Sequence, residues 1–226
     1  MSETEFAGTA KGDTIGIVIA NVTREIKEEF GTEHSAIGAL SARTGAGAQI
    51  LAMDEAVKNT NTELVRVYMP RDTKGGGGHG SLIVIGADDP ADVRRAIEMA
   101  LRLTDKFVGG IYVCDPGHMD LQYTASAGEV VEKAFGATRG CAYGMVCACP
   151  ASIGIVAADT AVKAAPVDVI SVATPDRGTT HTNEVIVHMC GEAEAVLAAV
   201  SAGREVGLDL LRKLGGDPEP MSEPYF

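Results

Sequence analysis

The chain has 226 residues with a formal net charge of −12 and a pI near 4.8, and no cluster of Lys and Arg, which excludes a nucleic-acid surface. No apolar run approaches a membrane span, and the N-terminus MSETEFAGTAKGD lacks a basic region followed by an apolar one, so a soluble, non-secreted chain with no membrane partner is expected. With no Trp, 4% aromatic residues and 27 glycines, the core has to be assembled from Ala, Val, Ile and Leu on backbones that approach closely.

In chain order, DTIGIVIANV and TREIKEEFG form a leading segment. SAIGALSA then reads as a strand, GAQILAMDEAVKNT as a short helix, ELVRVYM as an alternating strand and SLIVIGA as a buried strand. PADVRRAIEMALR is an amphipathic helix, with Val93, Ile97 and Leu101 on one stripe and Arg94, Arg95, Glu98 and Arg102 facing outward. A second leading segment follows, HMDLQYTAS then GEVVEKAFG, and after it the same order of elements: CAYGMVCA, ASIGIVAADTAVK, VDVISVA, EVIVHMC and EAEAVLAAVSAGREVGLDLLRKL. In the last helix the stripe Val196, Val200, Gly203, Gly207, Leu211, Leu214 places two glycines on the buried face. Glycine costs about 1 kcal/mol against Ala in a helix interior, so both predict another backbone passing close by. The tail GGDPEPMSEPYF, rich in Pro and acid, is expected to be irregular.

The second series repeats the first. AMDEAVK ends at Lys58 and AADTAVK at Lys163, an offset of 105 residues. The same offset, without a gap, pairs Phe30 and Gly31 with Phe135 and Gly136, Ala46 with Ala151, Val67 with Val172, Pro70 with Pro175 and Gly86 with Gly191. The fold class is therefore α+β, with two tandem domains over 1–108 and 109–226 instead of one doubly wound sheet.

The stretch KGGGGHGS, Lys74 to Ser81, invites a phosphate cradle and does not make one. Lys74 precedes the glycines, and the loop joins strand to strand, so no helix N-terminus points at a ligand. Its repeat counterpart, PDRGTTHTNEVI, is polar and poor in glycine; His79 aligns with Glu184 and His181 with Gly76, so no histidine pair arises from the repeat. The five cysteines, Cys114, Cys141, Cys147, Cys149 and Cys190, include no CxxC pair, and all but Cys114 lie in or beside strand-like segments. Buried reduced thiols are expected, with no metal and no cofactor. Cys141 and Ser152 have no local activation as nucleophiles, and no catalytic residue is assigned. Asp54 with Lys58 and Asp159 with Lys163 read as i,i+4 pairs on helix surfaces, worth about 0.3–0.5 kcal/mol each.

The duplicated AxDxAVK, together with EFAGTAKGDTIGIVIANV, ARTGAGAQI, DEAVKNTNTE, PRDTKGGGGHGSLI, EKAFGA and PASIGIVAADTAVK in this order, resembles the bacterial microcompartment shell proteins, specifically the tandem-domain, trimer-forming type. The resemblance runs from about Glu5 to the C-terminus. It implies two circularly permuted, ferredoxin-like microcompartment domains in a non-enzymatic protein of the compartment shell within the cytoplasm. Three chains would close into a flat pseudohexagonal tile that packs against other shell proteins. Lys58 and Lys163 carry over as tile-edge contacts. Lys74, Gly75, Gly76, Gly77, Gly78, His79, Gly80 and Ser81 carry over as one pore loop, and Thr179, Thr180, His181, Thr182 and Asn183 as the other. Six loops meeting on an axis leave little room for side chains, which suits glycine there. Related trimers bind small polar molecules between domains, and Thr182 and Asn183 match that site; its acidic partner falls near Thr44 and Gly45, where this chain has no carboxylate. A neutral diol or aldehyde therefore fits better than a cationic amine. A trimeric ferredoxin-like regulator that binds a metabolite is the alternative.

Overall fold

The structure is a computed structural model that describes residues 4–43, 45–70, 80–179 and 181–226. Its first sheet comprises β1 (Thr4–Ala10), β2 (Thr14–Ile19), β3 (Ala36–Ala42), β4 (Glu63–Tyr68) and β5 (Ser81–Ala87), in the spatial order β1-β2-β3-β5-β4. The second comprises β6 (Ile111–Cys114), β7 (Gly117–Thr124), β8 (Ala142–Cys149), β9 (Asp168–Ala173), β10 (Val185–Gly191) and β11 (Glu219–Pro220), in the order β11-β6-β7-β8-β10-β9. Every neighbouring pair is antiparallel. Helices α2 (Gly47–Lys58) and α3 (Pro90–Phe107) pack together on the first sheet, and α5 (Ala151–Ala164) and α6 (Ala193–Lys213) on the second. Short helices α1 (Arg24–Phe30) and α4 (Glu129–Phe135) lie in the leading segments, each closed by a left-handed glycine, Gly31 and Gly136.

The low aromatic content is matched by helices set close to the sheets. Val93 and Ile97 of α3 lie directly over Gly38, where a Cβ would stand 2.8 and 2.6 Å from them. Val196 and Val200 of α6 lie the same way over Gly144, each 2.7 Å from such a Cβ. Gly38 and Gly144 thus correspond in space, although the ungapped offset would match Gly38 with Tyr143. Likewise Ala36 opposes Ala87 while Ala142 opposes Gly191, so Gly191 takes the place of Ala87 and not that of Gly86. The paired residues of α2 and α5, such as Asp54 and Asp159, keep the offset of 105, whereas Val93 and Ile97 of α3 correspond to Val196 and Val200 of α6 at an offset of 103. The strands between slip by one residue so that Gly38 and Gly144 each face the helix above.

The two helical glycines of α6 differ from expectation in part. At Gly203 the backbone of α5 does pass close, with Ala157 O 3.2 Å from an added Cβ. Gly207 instead makes room for the thioether of Met119. Leu214 lies past the stripe, at the helix end, and is exposed.

The tail is irregular apart from the two residues of β11, yet it is docked and not loose. Glu219 and Pro220 pair with Val113 and Tyr112, and the Met221 N–H donates to Ile111 O at 2.9 Å. β6 and β11 both escape a periodicity search because neither exceeds four residues. Cys114 ends β6, so it too lies in a strand. Beyond the strand, Tyr225 sets its ring edge-on to Phe107, with centroids 5.0 Å apart. Its hydroxyl accepts from the Tyr123 N–H at 2.9 Å and donates to Gln122 Oε1 at 3.1 Å, and burial pushes the phenol pKa upward. Two aromatic side chains supply the burial that the Pro-rich composition hides. Tyr225→Phe keeps the ring contact and removes both hydrogen bonds, so it is expected to lower the unfolding free energy by about 1–2 kcal/mol in urea titration. An unchanged midpoint and slope would show that the hydroxyl contributes nothing to docking the tail.

Candidate functional site

The two domains meet where α2 packs on α4 and β7. Ile50 and Leu51 are fully buried there, in one apolar cluster with Ala127, Val130 and Val131 of the second domain. At the N-terminus of α4 the cap position is Gly128, which has no side chain to satisfy the first N–H groups. Asp54 supplies the acceptor from the other domain. Its carboxylate, 1% exposed, accepts from the N–H groups of Gly128 at 2.8 Å, Val130 at 3.0 Å and Val131 at 3.1 Å. Lys58 Nζ lies 3.2 Å from the same carboxylate and donates to Ser126 O at 2.8 Å and to Glu55 Oε1 at 2.5 Å. Asp54 is therefore a buried cross-domain cap with the partly exposed Lys58 beside it, not half of the surface pair its spacing suggested.

The repeat counterpart behaves differently. Asp159 and Lys163 pair at 2.6 Å with side chains 59% and 74% exposed. Ile155 and Val156, which match the buried Ile50 and Leu51, are 60% and 42% exposed. The same motif is covered in one repeat and bare in the other.

Of the loop residues singled out by sequence, Thr44, Lys74, Gly75, Gly76, Gly77, Gly78, His79 and Thr180 lie outside the described residues. Gly80 donates its N–H to Pro70 O at 2.8 Å, closing the base of the first loop, and Ser81 begins β5. In the second loop Thr179 and Thr182 turn inward. The Thr179 hydroxyl donates to Thr174 O at 3.0 Å, and that of Thr182 lies 2.7 Å from Glu184 Oε2. Asn183 Oδ1 accepts from the Ala151 N–H at 3.1 Å, at the start of α5. His181 and Asn183 are the exposed ones, His181 in the left-handed region with φ 65°.

A cavity of about 600 Å³ opens between the domains, beside Gly45, Ala46 and Gly47. Neither Thr182 nor Asn183, singled out by sequence for a ligand pocket, lines it; His118, Asp120, Cys147 and Glu184 do. Two of these lining residues, Asp120 and Glu184, are acids of the second repeat. Strand alternation explains the gathering. His118 and Asp120 of β7, Cys147 of β8 and His188 of β10 all point away from α5 and α6, and Asp120 faces Cys147 directly across the β7–β8 ladder. His118 Nε2 lies 2.9 Å from Glu184 Oε1, and Gln122 Nε2 donates to Asp120 Oδ1 at 2.7 Å.

Burial dominates the protonation of this face. It pushes the Asp120 carboxyl up to about 6 against the opposing effects of Gln122 and His118, and it pushes the Cys147 thiol well up. Burial also pushes His188 down to about 4; its Nδ1 lies 2.7 Å from the Tyr143 hydroxyl, and its ring stacks on Phe135. The signal for this face was present in HMDLQYTAS, where polar residues alternate with Met119 and Leu121.

The BMC domain family matches residues 36–115 and 142–214. The chain is 50% identical to the bacterial microcompartment shell protein PduB of Salmonella typhimurium, over 100% of this chain and 84% of that one. Among solved structures it is similar to EtuB from Clostridium kluyveri, with a TM-score of 0.94 and 49% identity over 100% of this chain and 99% of that one. A trimeric bacterial microcompartment shell protein PduB matches with a TM-score of 0.93 and 45% identity, over 98% of this chain and 99% of that one.

Proposed function

This chain belongs to the BMC domain family, as a tandem-domain shell protein of bacterial microcompartments, and we propose that three copies close into a pseudohexagonal tile by repeating between chains the junction already present within each chain. Its role is structural, not enzymatic. The contrast between the two AxDxAVK helices carries the trimer reading. Ile50, Leu51 and Asp54 are covered by the second domain, while Ile155, Val156 and Asp159 present the same chemistry to solvent. The complementary surface exists on the first domain, where Ile26 of α1 is 41% exposed and its counterpart Val131 is fully buried. In the closed ring α5 docks on α1 of the next copy, Asp159 reaches the backbone there as Asp54 reaches Val130 and Val131, and residues 1–108 alternate with residues 109–226.

This closure brings Lys58 and Lys163 to equivalent places, where they serve as tile-edge contacts with neighbouring shell proteins. Residues 74–81 and 179–183 line the centre, and small polar metabolites pass there. Ile155→Glu is expected to convert trimers into single chains of 23.4 kDa in analytical ultracentrifugation, with the circular dichroism spectrum unchanged because position 155 is exposed in the single chain. Trimers that persist at low micromolar concentration in this variant would exclude the proposed interface.

A further inference from the structure

Three potential metal ligands from separate segments converge at the cavity between the domains: His118 on β7, Cys147 on β8 and Glu184 just before β10. One ligand atom from each lies within 4.8 Å of the others. Cys147 and Glu184 are each 5% exposed, and His118 is half-buried on the cavity side. Glu184 is oriented from two directions, by the Thr182 hydroxyl at 2.7 Å and by His118 Nε2 at 2.9 Å. The Cys147 thiol makes no hydrogen bond among the described residues, although it faces the cavity. The fold does not require this set. Ser41 and Gly80 occupy the matching places in the first sheet, once the one-residue slip of the strands is taken into account.

We infer that His118, Cys147 and Glu184 bind one borderline-soft divalent cation, such as Zn²⁺, with a fourth position open to the cavity. An imidazole nitrogen, a thiolate and a carboxylate oxygen form a donor set suited to tetrahedral zinc, and three protein ligands leave one place for water or the oxygen of a small polar molecule. A thiol bound to such a cation is deprotonated, so the cation takes the place of the Cys147 proton. Binding therefore releases a proton from the thiol and tightens as pH rises. Asp120, opposite Cys147 in the ladder, adds negative potential at the same spot. Thr182 is a positioning residue, holding the second oxygen of Glu184 so that the first faces His118. None of this depends on trimer closure, because all three ligands belong to one domain.

The test uses the full chain, stripped with EDTA, kept reduced and titrated with cobalt(II) chloride and then with zinc chloride. One cobalt per chain is expected, with a thiolate-to-cobalt charge-transfer band in the near ultraviolet, visible bands of four-coordinate cobalt, and loss of both on adding zinc. Cys147→Ser should abolish the charge-transfer band, Cys149→Ser and Cys190→Ser should leave it, and Thr182→Val should weaken zinc binding about 10- to 100-fold. Should Cys147→Ser fail to fold, mass-spectrometric mapping of alkylation in the unaltered chain decides the matter, since zinc should protect Cys147 selectively. The inference is overturned if no thiolate band appears, if the band depends on Cys149 instead, or if zinc leaves the alkylation of Cys147 unchanged.

Discussion

Asp54→Ala is expected to lower the unfolding free energy by about 3–5 kcal/mol in urea titration, the cost of removing one partner from a buried, charge-assisted contact. Three backbone N–H groups at the start of α4 lose their acceptor together, and Gly128 has no side chain to replace it. Lys58, with its side chain 28% exposed, keeps Glu55 and Ser126 but loses the carboxylate that neutralises it from within the junction. Asp54→Asn retains an oxygen acceptor and should cost less than half as much. The repeat supplies the control. Asp159→Ala removes an exposed ion pair and should change the stability of the single chain by no more than about 1 kcal/mol. Equal losses at positions 54 and 159 would contradict the cross-domain cap.

That comparison also marks what could be read before any coordinates. The equivalence of AMDEAVK and AADTAVK, and the element order around them, were legible because helix periodicity and the repeat agree over both halves of the chain. A repeat identifies which residues are alike; it does not say what covers them. Asp54 and Asp159 are indistinguishable as letters, and only the position of α4 separates a buried cap from a solvated pair. The slip between Gly38 and Gly144 was hidden for a different reason. A strand register is fixed by the helix above it, here by Val93 and Ile97 in one domain and Val196 and Val200 in the other, and not by distance along the chain. The docked tail was missed because composition weighs Pro and Glu heavily and overlooks two terminal rings, Tyr225 and Phe226, that meet at 4.7 Å. The grouping of Cys147 with His118 and Glu184 was hidden because they come from β7 and from the residue before β10, distant in sequence from β8.

Asp120→Asn is expected to stabilise the chain by roughly 3 kcal/mol at pH 7 and by almost nothing at pH 4. With its carboxyl pushed from 3.8 to about 6 by burial, the folded chain holds this proton more tightly than the unfolded one, so stability falls as pH rises through that interval and the full cost is present at neutral pH. His188 acts in the opposite sense. Pushed from 6.5 to about 4, it is neutral in the folded chain, and stability is lost as pH falls through that interval. The two slopes largely cancel between pH 4 and 6 in the parent chain. Asn at position 120 still accepts from Gln122 but removes the first slope, so the variant should show the slope of His188 alone, rising by roughly 3 kcal/mol between pH 4 and 7. Urea titrations at pH 4, 5.5 and 7, with EDTA present so that cations make no contribution, compare parent and variant. A difference between them that does not change with pH would mean that the Asp120 carboxyl is solvated, and that the polar face of β7, β8 and β10 is wetter than its burial implies.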